Sequence, residues 1–159
     1  MVEVDYVIPP EITLTYEGDL DLKELYFLIK SWLRDKGFYL IEKFHEGSQE
    51  KFKAKWEATK KVDDYSKYVI VVTLEASKLK PISIKNKNLN NGEFNVAFES
   101  YIERDYEDRY EKKPLVKFFR GIYGKYVEKT REENDENELK ELTKNFYNEI
   151  KAYFGLKRN

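Results

Sequence analysis

The sequence predicts an α+β fold, in which a curved antiparallel sheet of about five strands packs against N-terminal and C-terminal helices. Two observations carry this prediction. Extended segments of alternating polarity follow one another from residue 38 to residue 106, separated by turns rich in Asp, Asn and Gly. Segments with helical apolar periodicity flank this run on both sides. Strands grouped between helices, rather than alternating with them, are typical of α+β proteins.

The N-terminal segment predicts two short strands followed by a helix. Alternating runs at 2–8 and 12–16 are separated by two prolines, which cannot donate a ladder hydrogen bond. Asp21 is suited to cap the start of the helix, and Gly37 is suited to end it. The apolar stripe of this helix consists of Leu22, Leu25, Tyr26, Ile29, Trp32 and Leu33.

The middle of the chain predicts an antiparallel meander. A hairpin turns near Glu46, and apolar residues alternate with charged ones in its second arm, at Phe52, Ala54, Trp56 and Ala58. The segment 68–77 begins apolar on both faces, which predicts a central strand. A short strand at 82–84 and a turn at 90–92 precede the last strand. The core face of that strand is predicted at Phe94, Val96, Phe98 and Ile102.

The last third of the chain predicts two helices. Pro114 suits a first helical turn, and the first helix covers residues 114–127. The second helix begins near Asn134 or Asp135 and ends at Gly155. Its apolar stripe consists of Leu139, Leu142, Phe146, Ile150 and Tyr153. This element order is compatible with a helix-grip arrangement, in which a sheet wraps around a long C-terminal helix.

Composition narrows the class of protein. The 159 residues, 41% hydrophobic and 16% aromatic, predict a single folded domain, 1–159. With 29 basic and 30 acidic residues, the net charge of -1 gives no overall attraction to nucleic acid or to an anionic membrane. The absence of cysteine excludes a cysteine nucleophile, a cysteine-ligated metal and disulfides, and it fits the cytoplasm.

Residues suited to catalysis or metal binding are sparse. The lone histidine, His45, falls beside a predicted turn, where a solvated side chain is a better interpretation than a general base. Glu103, Asp105 and Glu107 alternate along one strand face, and a salt-bridged face is favoured over a site for a divalent cation. We therefore predict no catalytic residue, no metal and no cofactor, and a carboxylate enzyme is the weakest alternative.

The helix predicted at 114–127 has three interpretations. Its apolar side chains cover about half of the helical cylinder and basic residues occupy most of the rest, which favours a helix packed on the core. The second interpretation is an interface with a partner or a second copy, formed by Lys117, Arg120, Tyr123 and Lys125. The third, a membrane-surface helix, is weakened by the acidic residues that follow it. Nucleic-acid binding is disfavoured because the aromatics of the hairpin alternate with its lysines.

The sequence favours a non-catalytic binding protein. Its surplus of large aromatics predicts that a small apolar ligand is held between the sheet and the C-terminal helices. The candidate ligand-binding residues are Trp56, Phe94, Phe98, Phe118 and Phe119. The alternative is a protein-interaction or homodimerisation module that uses helix 114–127 or an edge of the sheet.

Overall fold

The computed structural model describes the backbone of residues 3–104 and 114–158, and the side chains of residues 4–9, 12–104 and 133–157. The elements follow in the order β1 (Glu3–Leu20), α1 (Leu22–Asp35), β2 (Tyr39–Gly47), β3 (Phe52–Lys61), β4 (Ser66–Ile84), β5 (Lys87–Arg104) and α2 (Pro114–Arg158). The five strands form one antiparallel sheet in the spatial order β1-β5-β4-β3-β2. The α+β class and the curved sheet with helices from both ends of the chain are confirmed.

One face of the sheet forms the core. In β5 the predicted core residues Phe94, Val96, Phe98 and Ile102 are all at most 1% exposed, whereas their neighbours on the opposite face are half-buried. Alternation along the strand places these four side chains on one face. In β3, Ala54, Trp56 and Ala58 share this face, and both helices pack against it. β4 lies at the centre of the sheet, as its apolar start predicts.

Helix α1 begins and ends where the sequence predicts. The Asp21 carboxylate accepts hydrogen bonds from the backbone N–H groups of Lys23 and Glu24, at 3.0 and 3.4 Å, which satisfies two of the free donors of the first turn. Gly37, just beyond the helix, has a φ of +88° that favours glycine. The buried side of α1 consists of Leu25, Ile29 and Leu33.

Helix α2 contacts both the sheet and α1 through Phe146. The ring of Phe146 meets Phe98 edge-on, with centroids 5.3 Å apart, and stacks on Trp32 of α1 at 4.5 Å. The apolar stripe predicted for the C-terminal part of α2 is confirmed, because Leu139, Phe146, Ile150 and Tyr153 are buried and Leu142 packs against the core. Among the described residues, no helix has both the length and the apolar content that crossing a membrane requires.

The prediction of two C-terminal helices is wrong, because α2 is a single helix. Asp135 looks like the N-cap of a second helix in the sequence, but its carboxylate faces the Arg104 guanidinium, with Nη1 and Oδ2 3.6 Å apart. Gly155 was expected to end the helix, yet α2 continues to Arg158. A Cβ on Gly155 would have no atom within 4 Å, so the residue is not needed for a close approach.

Strand β1 is continuous, whereas the sequence predicts two short strands. Pro9 interrupts the pairing with β5 without ending the strand, since the register shifts between Tyr6 and Ile8 and again between Ile8 and Ile12. β1 is an edge strand, so the missing N–H of a proline removes at most one hydrogen bond to the neighbouring strand.

The hairpin between β4 and β5 turns earlier than predicted. β4 passes through a register shift between Ser77 and Lys80 and continues to Ile84, so the short strand predicted at 82–84 belongs to β4. The turn lies at Lys85 and Asn86, whose φ angles of +48° and +67° fit a tight hairpin turn. The predicted turn at 90–92 is therefore wrong, and these residues pair within β5.

A buried ionic cluster joins the sheet to α2. Arg104, 2% exposed, donates from Nε to the Asp5 carboxylate at 2.8 Å and from Nη1 to the Ser66 hydroxyl at 3.0 Å. Asp135 of α2 completes the cluster from the helix side. Buried charges are tolerated when they are paired, so this cluster favours one position of α2 on the sheet.

Candidate functional site

An apolar groove lies between the start of α1 and the tip of the β2–β3 hairpin. We call it the α1–hairpin groove. Its volume is about 550 Å³. Its lining consists of Leu22, Lys23, Tyr26, Phe27, His45, Phe52 and Asn90. A lining of aromatic and aliphatic side chains with a few polar groups is typical of small-molecule sites.

Tyr26 forms the centre of the groove. Its ring contacts Phe52 edge-on, with centroids 6.1 Å apart, and Trp56 of the core at 5.1 Å. Its hydroxyl donates to a Glu42 carboxylate oxygen at 2.9 Å. Burial, aided by this hydrogen bond and the charge of Glu42, raises the pKa of Tyr26 above its usual value of 10.0. The phenol therefore stays neutral near neutral pH and holds α1 against β2.

His45 enters the groove because of a β-bulge. The pairing of β2 with β3 shifts between Glu42 and Phe44, so His45 pairs with Ala54 and shares its face. The His45 ring meets Phe52 edge-on at 5.1 Å and Tyr26 at 6.3 Å. The His45 side chain is nevertheless exposed, as the sequence predicts for a residue beside a turn. The extra residue of the bulge changes the alternation, and no local signal in the sequence marks it.

The groove's α1 side is fixed by contacts from two other elements. The backbone N–H of Leu22 donates to the Asn90 side-chain oxygen of β5 at 3.3 Å. From α2, the Tyr153 hydroxyl donates to the Asp21 carbonyl at 3.4 Å, and Lys157 pairs with Glu24 at 3.6 Å. These contacts join the first turn of α1 to the rest of the fold, so the groove is built on fixed elements.

Two further grooves are more polar. One, of about 400 Å³, is lined by the hairpin tip and β4, and includes the charged residues Glu46, Lys51, Lys53 and Glu75. The other, of about 550 Å³, is formed by the β4–β5 hairpin and the start of α1, and shares Lys23 and Asn90 with the α1–hairpin groove. Neither has an aromatic cluster comparable to that around Tyr26.

The predicted ligand-binding residues that can be placed lie in the core. Trp56, Phe94 and Phe98 are at most 1% exposed and line none of the three grooves described above. Trp56 comes nearest, because it contacts Tyr26 from the core side. The side chains of Phe118 and Phe119 lie outside the described residues. Their assignment to a ligand site therefore stays a prediction.

The residues predicted to form an interface are also outside the described side chains. Lys117, Arg120, Tyr123 and Lys125 fall within α2, but only their backbone is described. The two edges of the sheet are β1 and β2, and both have irregular pairing with their neighbours. Irregular edges oppose strand addition by a partner.

The acidic strand face is only partly within the described residues. Glu103 lies in β5, and its carboxylate pairs with Lys67 Nζ at 3.1 Å. Asp105 and Glu107 lie outside the described residues. Among the residues that are described, no group of three or more His, Cys, Asp or Glu side chains could hold a metal ion.

One aromatic side chain of the groove lies outside the apolar stripe of its helix. Phe27 does not belong to the stripe of α1, and its side chain is 60% exposed at the groove. Single exposed aromatics are common on protein surfaces, so Phe27 alone does not mark a binding site in the sequence.

In comparisons with known proteins, no family model matches the chain, and neither a curated protein nor a solved structure matches it. The chemistry of the α1–hairpin groove therefore carries the functional proposal.

Proposed function

We propose that the protein is a non-catalytic binding protein that holds a small apolar ligand in the α1–hairpin groove. The observation that carries the proposal is the cluster of Leu22, Tyr26, Phe27, His45 and Phe52 around a groove of about 550 Å³. Ligand sites commonly measure about 300–1,000 Å³ and combine apolar walls with a few polar groups.

The gain from filling the groove is mainly hydrophobic. Phe27 is largely exposed without a ligand, and the ring of Phe52 is only partly buried. A flat aromatic ligand that removes about 100 Å² of apolar surface from water gains roughly 2.5 kcal/mol at this contact. Tyr26 adds a ring already held by Glu42, so little side-chain freedom is lost on binding.

The proposed site differs from the one that the sequence predicts, because it lies beside α1 and not between the sheet and the C-terminal helices. Trp56 contacts Tyr26 from the core side, and none of Trp56, Phe94 and Phe98 lines the groove. Placing the ligand here also leaves the packing of α2 against the sheet undisturbed.

Native mass spectrometry of the purified protein is the first test, because a discrete added mass that is lost on mild denaturation reports a co-purified ligand. The second test is a calorimetric titration of the protein with a neutral naphthyl compound. Phe27→Ser removes the exposed wall of the groove and is expected to weaken binding roughly fivefold to thirtyfold.

Phe44→Ser is the matched control. Phe44 is another exposed phenylalanine, on β2, and it does not line the groove. Equal weakening by the two substitutions, or no binding of the naphthyl compound at millimolar concentration to the unmodified protein, would contradict the proposal.

The second candidate is a protein-interaction or homodimerisation module. The observation in its favour is edge strand β2, where Tyr39, Ile41 and Phe44 are exposed on the face opposite the helices. Sedimentation velocity over a range of concentrations tests it, with Tyr39→Lys as the disrupting variant. A monomer at every concentration would exclude the homodimer, and helix 114–127 would then be tested with Tyr123→Lys.

A further inference from the structure

The polar groups that line the α1–hairpin groove come from Lys23, Tyr26, His45 and Asn90, and no carboxylate is among the lining residues. The Asn90 side-chain oxygen accepts from the Leu22 backbone N–H, which leaves the Asn90 amide nitrogen as the group able to donate. The groove therefore offers hydrogen-bond donors and a positive charge to a ligand.

Three carboxylates near the groove have partners. Asp21 caps α1, Glu24 pairs with Lys157 at 3.6 Å, and Glu42 accepts from Tyr26 at 2.9 Å. Lys23, by contrast, makes no ion pair with any side chain that the structure describes. An ammonium group at the rim of an apolar groove, with the neighbouring carboxylates engaged elsewhere, is placed to bind an anion.

A second ammonium group reinforces the positive charge. Lys30 Nζ lies 5.0 Å from the centre of the Tyr26 ring, and this ring forms the middle of the groove. A cationic ligand would be repelled by both Lys23 and Lys30, and a neutral ligand would gain less from them than an anion.

We propose that the ligand of the α1–hairpin groove is an amphiphilic organic acid. Its apolar body lies against Tyr26, Phe27 and Phe52, and its carboxylate binds Lys23, with a hydrogen bond from the Asn90 amide. This inference rests on the proposed function, because it names the class of ligand for the same groove. It adds a requirement for charge, which apolar binding alone does not impose.

The test uses two probes of the same size and shape, naphthylacetate and naphthylacetamide, measured by calorimetry on the full chain. The acid is expected to bind roughly threefold to tenfold more tightly than the amide at low salt, and the difference should shrink as salt is added. Lys23→Met should abolish the preference for the acid over the amide. Lys140→Met, an exposed lysine of α2 away from the groove, is the matched control and should keep the preference.

The possible outcomes separate the two proposals. If both probes bind with equal affinity, or the amide binds more tightly, the anionic ligand class is wrong and the apolar site survives. If the acid is preferred but Lys23→Met does not reduce the preference, the assignment of the carboxylate to Lys23 is wrong. If neither probe binds, the site itself is wrong and both proposals fail.

Discussion

Replacing Phe146 tests how α2 is held on the sheet. Phe146 is fully buried, stacks on Trp32 with ring centroids 4.5 Å apart, and meets Phe98 edge-on at 5.3 Å. Truncating a buried phenylalanine to alanine costs about 3–5 kcal/mol, and each aromatic pair adds about 0.5–1.5 kcal/mol beyond burial. We therefore expect Phe146→Ala to lower the free energy of unfolding by about 4–5 kcal/mol.

Urea denaturation followed by circular dichroism measures this loss. Phe146→Leu keeps most of the volume but not the ring contacts, so a smaller loss of about 1.5 kcal/mol is expected. Leu156→Ala, at a 74% exposed position on the same helix, should stay within about 0.5 kcal/mol of the unmodified protein. A loss below about 1 kcal/mol for Phe146→Ala would show that α2 is not anchored through this side chain.

Three further predictions concern stability. Arg104→Met removes the guanidinium that faces the buried carboxylate of Asp135 and should cost about 3–5 kcal/mol in urea denaturation, whereas a loss under about 1 kcal/mol would mean that the cluster is dispensable. Gly92→Ala should cost roughly 1–3 kcal/mol, because the new Cβ would lie 2.8 Å from a backbone oxygen. Gly155→Ala, with open space around the new Cβ, should stabilise α2 by about 0.5–1 kcal/mol. Melting temperatures that shift in the same direction for the two variants would contradict this pair of predictions. Burial raises the pKa of Tyr101 to about 12 from 10.0, so the folded state keeps a proton that the unfolded chain loses between these pH values. The free energy of unfolding should therefore fall as pH rises from about 10 to 12. Phenolate absorbance of the folded protein that rises fully near pH 10 would contradict this prediction.

Most of the fold could be predicted from the sequence because burial sets the residue pattern. The alternation through Phe94, Val96 and Phe98, and the helical stripe that contains Phe146, both follow from which side must face the core. The errors fall where tertiary contacts override a local signal. Asp135 looks like a helix cap in isolation, but its ion pair with Arg104 forms only in the folded sheet.

The groove was harder to predict because its residues come from separate elements and from a change of register. Leu22 and Tyr26 belong to a stripe that the sequence identifies correctly, and Phe52 to an alternation that it also identifies. His45 joins them only through the bulge in β2, and Asn90 only through the pairing of β5 beyond the turn. Such long-range placement leaves no mark in the local sequence.

A difference in length between the elements explains why a groove exists at this place. Helix α1 has 14 residues and spans about 21 Å, whereas β3 has 10 residues and extends up to about 33 Å. The short helix cannot cover the hairpin tip, so Phe52 and His45 meet only its first turns. Since α2 and β5 hold that first turn in place, through Tyr153 and Asn90, the groove is present before any ligand arrives. Binding here should therefore change side chains at the rim and leave the backbone in place.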